Sequence, residues 1–231
     1  MNENLTISRI IKALPADYFA SKYDISYFKR YDACDDFLLS KKLISNIWGW
    51  FNENLLNYSI IGDRDIPESV TILHTNAGAG KLLEHAPTNS TITAYNLDYV
   101  CKRICDFVCQ SKDEEGKYFS ETKDISNFFA VKNTNSSRKY HIVITQPASK
   151  MTYYKGIDCV DGFDSKDPLD YYTTRGLHFV EEDGFLVVIY EPSQESEMSR
   201  IIKGLNVKLE KKIVVKEQKY VAYEAMILRK V

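Results

Sequence analysis

Val70-Thr71-Ile72-Leu73-His74 runs directly into Thr75-Asn76-Ala77-Gly78-Ala79-Gly80-Lys81, and the reading of this join decides the fold. A short apolar, β-branched run reads as a strand. Leu82, Leu83 and His85 then begin a short helix that Pro87 ends. A strand feeding a glycine turn and a helix start makes a cradle. Glycine lets the backbone approach a ligand closely, and helix starts offer free N–H groups. The Gly-x-Gly spacing alone also fits an ordinary loop, so the neighbouring segments must carry the rest.

Downstream, Thr91–Leu97 (TITAYNL) reads as a second strand and Val100–Gln110 as a helix. Lys112–Lys117 is a charged turn, and Lys117–Ser120 a short strand. Asp124–Phe129 leads into a short helix. Tyr140–Thr145 (YHIVIT) is a buried strand by its β-branched content. Tyr171–Glu181 reads as a helix, Asp183-Gly184 as a turn, and Phe185–Tyr190 (FLVVIY) as the strongest strand. Met198–Leu205 is a further helix. Val207–Val215 and Tyr220–Arg229 pair across Lys216–Lys219 as a terminal hairpin. Upstream, Ile7, Ile10, Ile11 and Leu14 form an apolar stripe stopped by Pro15. Phe37, Ile44, Trp48, Phe51 and Leu55 give helix periodicity from about Asp35 to Asn57, with Asp35 or Asp36 as the N-cap. Trp48 is expected to anchor the core. Strands alternating with helices predict an α/β fold: a doubly wound, mostly parallel sheet with a C-terminal antiparallel hairpin and N-terminal helices. The expected organisation is a helical region over residues 1–62 packed on a Rossmann-like domain over 63–231.

Composition narrows the function classes. The 231 residues are 44% hydrophobic and 27% charged, ordinary globular usage that excludes a disordered or collagen-like chain. Thirty basic residues against 32 acidic give a net charge of −2, so nothing global drives the chain onto nucleic acid. A local patch of Lys132, Arg138, Lys139, Lys150 and Lys155 would have to make any such contact. No run approaches the ~18 apolar residues of a membrane span, and the start, MNENLTISRIIKAL, does not resemble a signal peptide, so none is expected. Cys101, Cys105 and Cys109 sit four apart without a nearby histidine, which favours small core-facing residues over a metal or disulfide site. No metal is expected, and reduced thiols fit a cytoplasmic protein.

Two further features point to a ligand at the carboxyl edge of the sheet. The second strand ends in Tyr95-Asn96-Leu97-Asp98, with Asn96 sixteen residues after Gly80. An acid or amide there reaches ribose hydroxyls in doubly wound folds. The strand YHIVIT ends in Gln146-Pro147-Ala148-Ser149, an amide and a proline where such folds bind ligands.

Together these residues resemble the S-adenosylmethionine-dependent methyltransferases, specifically the adenine-amino DNA methyltransferases of type I restriction-modification subunits. That family's first strand ends in an acid followed by Pro-Ala-Cys-Gly-Ser-Gly-Gly-Phe-Leu. Here the text is His74-Thr75-Asn76-Ala77-Gly78-Ala79-Gly80-Lys81-Leu82-Leu83. Asn96, with Asp98 two residues on, stands for the family's strand-two acid. Asp124 stands for its adenine-side acid. Gln146-Pro147-Ala148-Ser149 stands for the catalytic Asn/Asp-Pro-Pro-Tyr/Phe. The resemblance spans most of Ser26 to Val231 and rests on the order of features.

The resemblance implies a class I methyltransferase-like fold and S-adenosylmethionine as cofactor. It implies cofactor contacts from His74, Asn76, Gly78, Ala79, Gly80, Asn96, Leu97, Asp124 and Ile125. It implies catalytic roles for Gln146, Pro147 and Ser149, and substrate contacts from Tyr153, Tyr154 and Lys150. Its departures matter equally. His74 replaces an acid, Asn96 accepts hydrogen bonds without charge assistance, and Ser149 cannot stack on a base. Two functions follow: amino methylation of DNA, with a partner supplying target recognition, or a non-catalytic relative acting through a protein partner. A nicotinamide-dependent dehydrogenase is disfavoured by the missing third glycine, the Gln-Pro strand end and the hairpin.

Overall fold

The structure, a computed structural model, describes residues 39–55, 69–78, 80–96, 102, 105–106, 108–109, 113, 115–122, 138–146, 168–215 and 223–231. In chain order the elements are α1 (Lys41–Leu55), β1 (Val70–His74), β2 (Ser90–Asn96), β3 (Tyr118–Thr122), β4 (Tyr140–Thr145), α2 (Pro168–His178), β5 (Val180–Tyr190), α3 (Glu195–Lys203), β6 (Val207–Val214) and β7 (Glu224–Lys230). Single 3-10 turns cover Leu83–His85 and Pro192–Gln194.

The strands form one seven-stranded sheet in the order β3-β2-β1-β4-β5-β7-β6. The first five run parallel to one another. β7 runs antiparallel to both β5 and β6. Connections from β1 wind one way to β2 and β3, and from β4 the other way to β5. The β1/β4 boundary is therefore the topological switch point, beyond whose carboxyl ends ligands bind in open α/β sheets.

Both faces of the sheet are covered. On one, Leu43, Ile44, Ile47, Trp48 and Phe51 of α1 are all buried with Ile72, Ile92, Ile142, Ile144 and Phe185. Their spacing of one, three, one and three residues is the helix stripe that lays one face on a sheet. Phe51 and Phe185 meet edge-to-face at 5.6 Å, and Trp50 meets Phe185 at 5.5 Å. On the other face, Leu169 and Tyr172 of α2 and Met198 and Ile201 of α3 pack with Leu73, Val143, Leu186 and Val188. Cys105 and Cys109 are buried small residues on the α1 face, with the Tyr118 hydroxyl donating to Cys105 Sγ at 3.1 Å. Among the described residues no cluster suited to a metal is found, and no helix is long and apolar enough to cross a membrane.

Several boundaries differ from the sequence reading. The N-cap of α1 is Ser40, whose Oγ accepts the Leu43 N–H at 3.1 Å, so neither Asp35 nor Asp36 starts this helix. The segment read as the turn Lys112–Lys117 is still helical at Asp113, whose N–H donates to the Cys109 carbonyl. α2 ends at His178, and Glu181 belongs to β5. Asp183-Gly184 lies inside β5 instead of preceding it. Asp183 has φ of 63°, and the β4–β5 pairing jumps from Tyr140↔Val180 to Ile142↔Phe185. The extra residues bulge out, so a turn-like dipeptide interrupts a strand without ending it. The stripe at residues 7–14 and the segment 124–129 lie outside the described residues.

Candidate functional site at the carboxyl edge of the sheet

The glycine turn is tied to both neighbouring strands. The Thr75 N–H donates to the Ile144 carbonyl of β4 at 3.0 Å, and the Ala77 N–H to the Tyr95 carbonyl of β2 at 2.9 Å. Gly78 and Gly80 both adopt left-handed backbone, with φ of 53° and 79°. A Cβ on Gly80 would sit 2.9 Å from Cys105 Sγ and 3.2 Å from its Cα, so the helical segment packs directly against the turn. α1 holds the far side. Trp48 Nε1 donates to the Leu82 carbonyl at 2.8 Å, and Lys81 Nζ to the Leu39 carbonyl at 2.6 Å. Trp48 is thus the expected core anchor and also fixes the end of the cradle.

Strand registry gathers three polar side chains. His74 ends β1 opposite Ala94 of β2 and Ile144 of β4. Asn96 and Gln146 each lie two residues beyond those partners. Side chains two apart share a sheet face, so His74, Asn96 and Gln146 continue the rows Ile72, Ala94 and Ile144 on the α1 face. All three are buried: His74 at 0%, Asn96 at 1% and Gln146 at 3% exposure. Each has hydrogen-bonding atoms without a partner: His74 Nε2, both amide atoms of Asn96, and both of Gln146. A buried polar atom left unpaired costs about 1–3 kcal/mol, and five such atoms on three adjacent strand ends make this edge the candidate site.

The state of His74 follows from its contacts. Its Nδ1 accepts the Asn76 N–H at 3.4 Å, which leaves Nε2 as the protonated nitrogen of a neutral ring. Burial disfavours the imidazolium and pushes the pKa down to about 3. The site therefore presents an N–H donor and two amides, with no charge from these residues.

Two buried hydroxyls on the opposite face also lack partners, those of Thr145 in β4 and Thr173 in α2. Gly176 lets α2 approach here, since a Cβ on it would lie 2.8 Å from Thr145 Cγ2. Sequence reasoning missed both, because a threonine in a strand or helix carries no signal of its own.

The structure thus brings His74, Asn76, Gly78, Gly80, Asn96 and Gln146 together. Ala79, Leu97, Asp124, Ile125, Pro147, Ser149, Lys150, Tyr153 and Tyr154 lie outside the described residues, as do Lys132 and Lys155. Arg138 and Lys139 do not join the site. They precede β4, and Gln146 follows it, so Arg138 lies roughly 25 Å away along the strand axis. Arg138 stacks over the Tyr140 ring at 5.4 Å, and Lys139 donates to the His178 carbonyl. The expected basic patch around the carboxyl edge is corrected to that extent: these two cations decorate the opposite edge.

No protein-family model and no curated protein matches the sequence. Solved structures do match in shape. A protein assigned as a class I S-adenosylmethionine-dependent methyltransferase, from Listeria monocytogenes, superposes with a TM-score of 0.59 at 12% identity, over 99% of this chain and 67% of that one. Magnesium protoporphyrin IX methyltransferase from Synechocystis PCC 6803, solved with S-adenosylmethionine bound, gives 0.56 at 9% identity over 100% and 98%. An S-adenosylmethionine-dependent methyltransferase from Clostridium acetobutylicum ATCC 824 gives 0.56 at 12% identity over 89% and 98%. The chain has the class I methyltransferase fold. The adenine-DNA branch of that fold, suggested by the motif order, finds no specific support in these likenesses.

Proposed function

We propose that this chain binds S-adenosylmethionine at the carboxyl ends of β1, β2 and β4 and transfers its methyl group to an amino nitrogen, with adenine in DNA as the substrate. The observation that carries the reading is the row of buried, unpartnered polar atoms on His74, Asn96 and Gln146 beside the glycine turn. These residues suit the cofactor. Asn96 can accept from and donate to ribose hydroxyls. Gly78 and Gly80 keep the turn clear of side chains, and His74 Nε2–H can donate to an acceptor on the ligand. When bound, the cofactor would supply a methyl group on positively charged sulfur, and the amine lone pair would form the new C–N bond as the C–S pair returned to sulfur and the amine proton passed to solvent.

Gln146 is the residue this reading assigns to substrate. Its Oε1 can accept an N–H of the amine and aim the nitrogen lone pair, a role of orientation that needs no strong base. By the resemblance, the Pro147 carbonyl shares that role, with Ser149, Lys150, Tyr153 and Tyr154 around a base taken out of its stack. A partner supplies sequence recognition, and the compartment is the cytoplasm.

A second reading has its own observation. The neutral, buried His74 stands where the resembled family has an acid, and Asn96 where it has another. Such a site fits a non-catalytic relative that acts through a protein partner.

Calorimetric titration with S-adenosylmethionine, with NADH as control, followed by tritiated-methyl transfer to unmethylated DNA and RNA, separates the readings. Binding of the adenosyl ligand alone, with label entering DNA, supports methylation. Gln146→Ala is expected to abolish transfer and change the dissociation constant by less than about threefold. Equal transfer by wild type and Gln146→Ala removes Gln146 from the mechanism. Binding without transfer to any nucleic acid favours the non-catalytic reading.

A further inference from the structure

We propose that the ring accepting the methyl group is read from the α2 face of the sheet, by hydrogen bonds from the hydroxyls of Thr145 and Thr173 to its ring nitrogens. The inference rests on the adenine reading above and adds two residues that set its specificity. Thr145 is the last residue of β4 and shares a face with Val143, whereas Gln146 shares one with Ile144. The end of β4 thus carries unpartnered polar atoms on both faces: the Gln146 amide on the α1 face and the Thr145 hydroxyl on the α2 face. Thr173 stands over the same strand end. A Cβ on Gly176 would meet Thr145 Cγ2 at 2.8 Å, Leu186 Cδ1 at 3.1 Å and Val143 Cγ1 at 3.8 Å. α2 ends where β5 begins, so going back along the helix from Gly176 leads toward the carboxyl edge. Thr173 lies one turn back, about 4.5 Å along the axis, on the same helix face.

Both threonines are 0% exposed. Neighbouring hydroxyls find protein partners: Thr75 Oγ1 donates to the Ile144 carbonyl at 3.3 Å, and the Tyr190 hydroxyl to Glu195 at 2.6 Å. A helical threonine can donate to the carbonyl one turn back, which for Thr173 is that of Leu169, and Thr173 does not. Two hydroxyls left unbonded inside the protein lower its stability. The packed side chains of this face, among them Leu73, Val143, Leu169, Leu186 and Val188, are apolar. Such a surrounding admits a neutral polar group at far lower cost than a charged one. Adenine is neutral, and its N1, N3 and N7 are acceptors that complement two hydroxyl donors. Held this way, the ring turns its amino group toward Gln146 at the tip of β4.

Thr145→Val and Thr173→Val remove the hydroxyls at nearly constant shape. Methyl transfer by the full chain is measured on an adenine oligonucleotide and on three counterparts in which N1, N3 or N7 is replaced by C–H. The melting temperature of each free variant is measured beside it. Each variant is expected to raise KM for the adenine oligonucleotide about tenfold and to bind S-adenosylmethionine within about twofold of wild type. At least one C–H counterpart costs wild type a similar factor and costs the matching variant nothing further. The free variants melt at or above the wild-type temperature, because a methyl has replaced an unbonded hydroxyl. A fall of more than about 3 °C shows that the hydroxyls are already bonded in the free protein and overturns the inference. An unchanged KM, or losses from ring and variant that multiply, overturns it as well. Those results leave the adenine reading standing, whereas absence of transfer by wild type to any of the oligonucleotides overturns that reading and the inference with it.

Discussion

His74 illustrates how burial sets the chemistry of one side chain. In the unfolded chain its pKa is the ordinary 6.5, whereas in the folded protein burial holds it at about 3. Between those values the unfolded chain takes up a proton that the folded protein refuses. Stability contributed by the neutral ring is complete above pH 6.5 and is lost as pH falls toward 3, at up to about 1.4 kcal/mol per pH unit. Urea unfolding of wild type and His74→Gln at pH 7.5, 6 and 4 isolates this one group, since other titrations are shared. Wild type is expected to lose on the order of 2 kcal/mol more than the variant between pH 6 and pH 4. Parallel acid limbs would show that His74 ionises freely in the folded state. The sequence marked Asn96 and Gln146 as site residues because strand ends could be located from β-branched runs, and His74 through the resemblance at the glycine turn. It could not show that they are buried, unpartnered and on one face, because that depends on the register of three strands.

Glycines show how the same residue means different things in two elements. Gly49 in α1 has open space where a Cβ would go, whereas Gly176 in α2 faces Thr145 Cγ2 at 2.8 Å and Leu186 Cδ1 at 3.1 Å. Alanine is favoured over glycine in a helix by about 1 kcal/mol. Gly49→Ala is therefore expected to stabilise by about 0.5–1 kcal/mol. Gly176→Ala is expected to destabilise by about 1–3 kcal/mol, since overpacking forces α2 off the sheet and outweighs the propensity gain. Chemical denaturation of both variants measures the pair, and equal signs would contradict the close packing of α2 on β4. β5 shows why element boundaries were harder to read than elements. Its buried second half, Phe185–Tyr190, stands out as an apolar run. Its first half, Val180-Glu181-Glu182-Asp183-Gly184, is polar and bulged, with Glu182 held by Lys230 at 2.6 Å. A left-handed Asp183 beside a glycine carries the composition of a turn, and only pairing with β4 makes it a strand. β1 and β4, short and rich in buried β-branched residues, were legible to the residue.

At the scale of the whole molecule, α1 is part of the layer that closes the sheet. Leu43, Ile44, Ile47, Trp48 and Phe51 are each at most 3% exposed, and they cover the face that carries Ile72, Ile142, Ile144 and Phe185. Burying a large apolar side chain contributes about 1.5–3 kcal/mol, so these five together contribute on the order of 10 kcal/mol. That is comparable with the whole stability of a typical domain, about 5–15 kcal/mol. The same helix reaches the site, because Trp48 Nε1 holds the Leu82 carbonyl just past the glycine turn. Removing residues 1–62 is therefore expected to expose one sheet face and to release the cradle together. The shortened chain, 63–231, should bind a hydrophobic dye strongly, lose its cooperative thermal transition and fail to bind adenosyl ligands. A helical appendage would behave differently: its removal would leave a chain that melts cooperatively and keeps its ligand affinity. Trp48→Phe separates the two contributions of the helix. It keeps most of the apolar surface but leaves the Leu82 carbonyl with the long His85 N–H bond of 3.4 Å alone, at a cost of about 1 kcal/mol. If α1 positions the cradle as well as covering the sheet, this variant folds cooperatively and binds adenosyl ligands more weakly. If α1 acts as cover alone, stability falls and affinity does not.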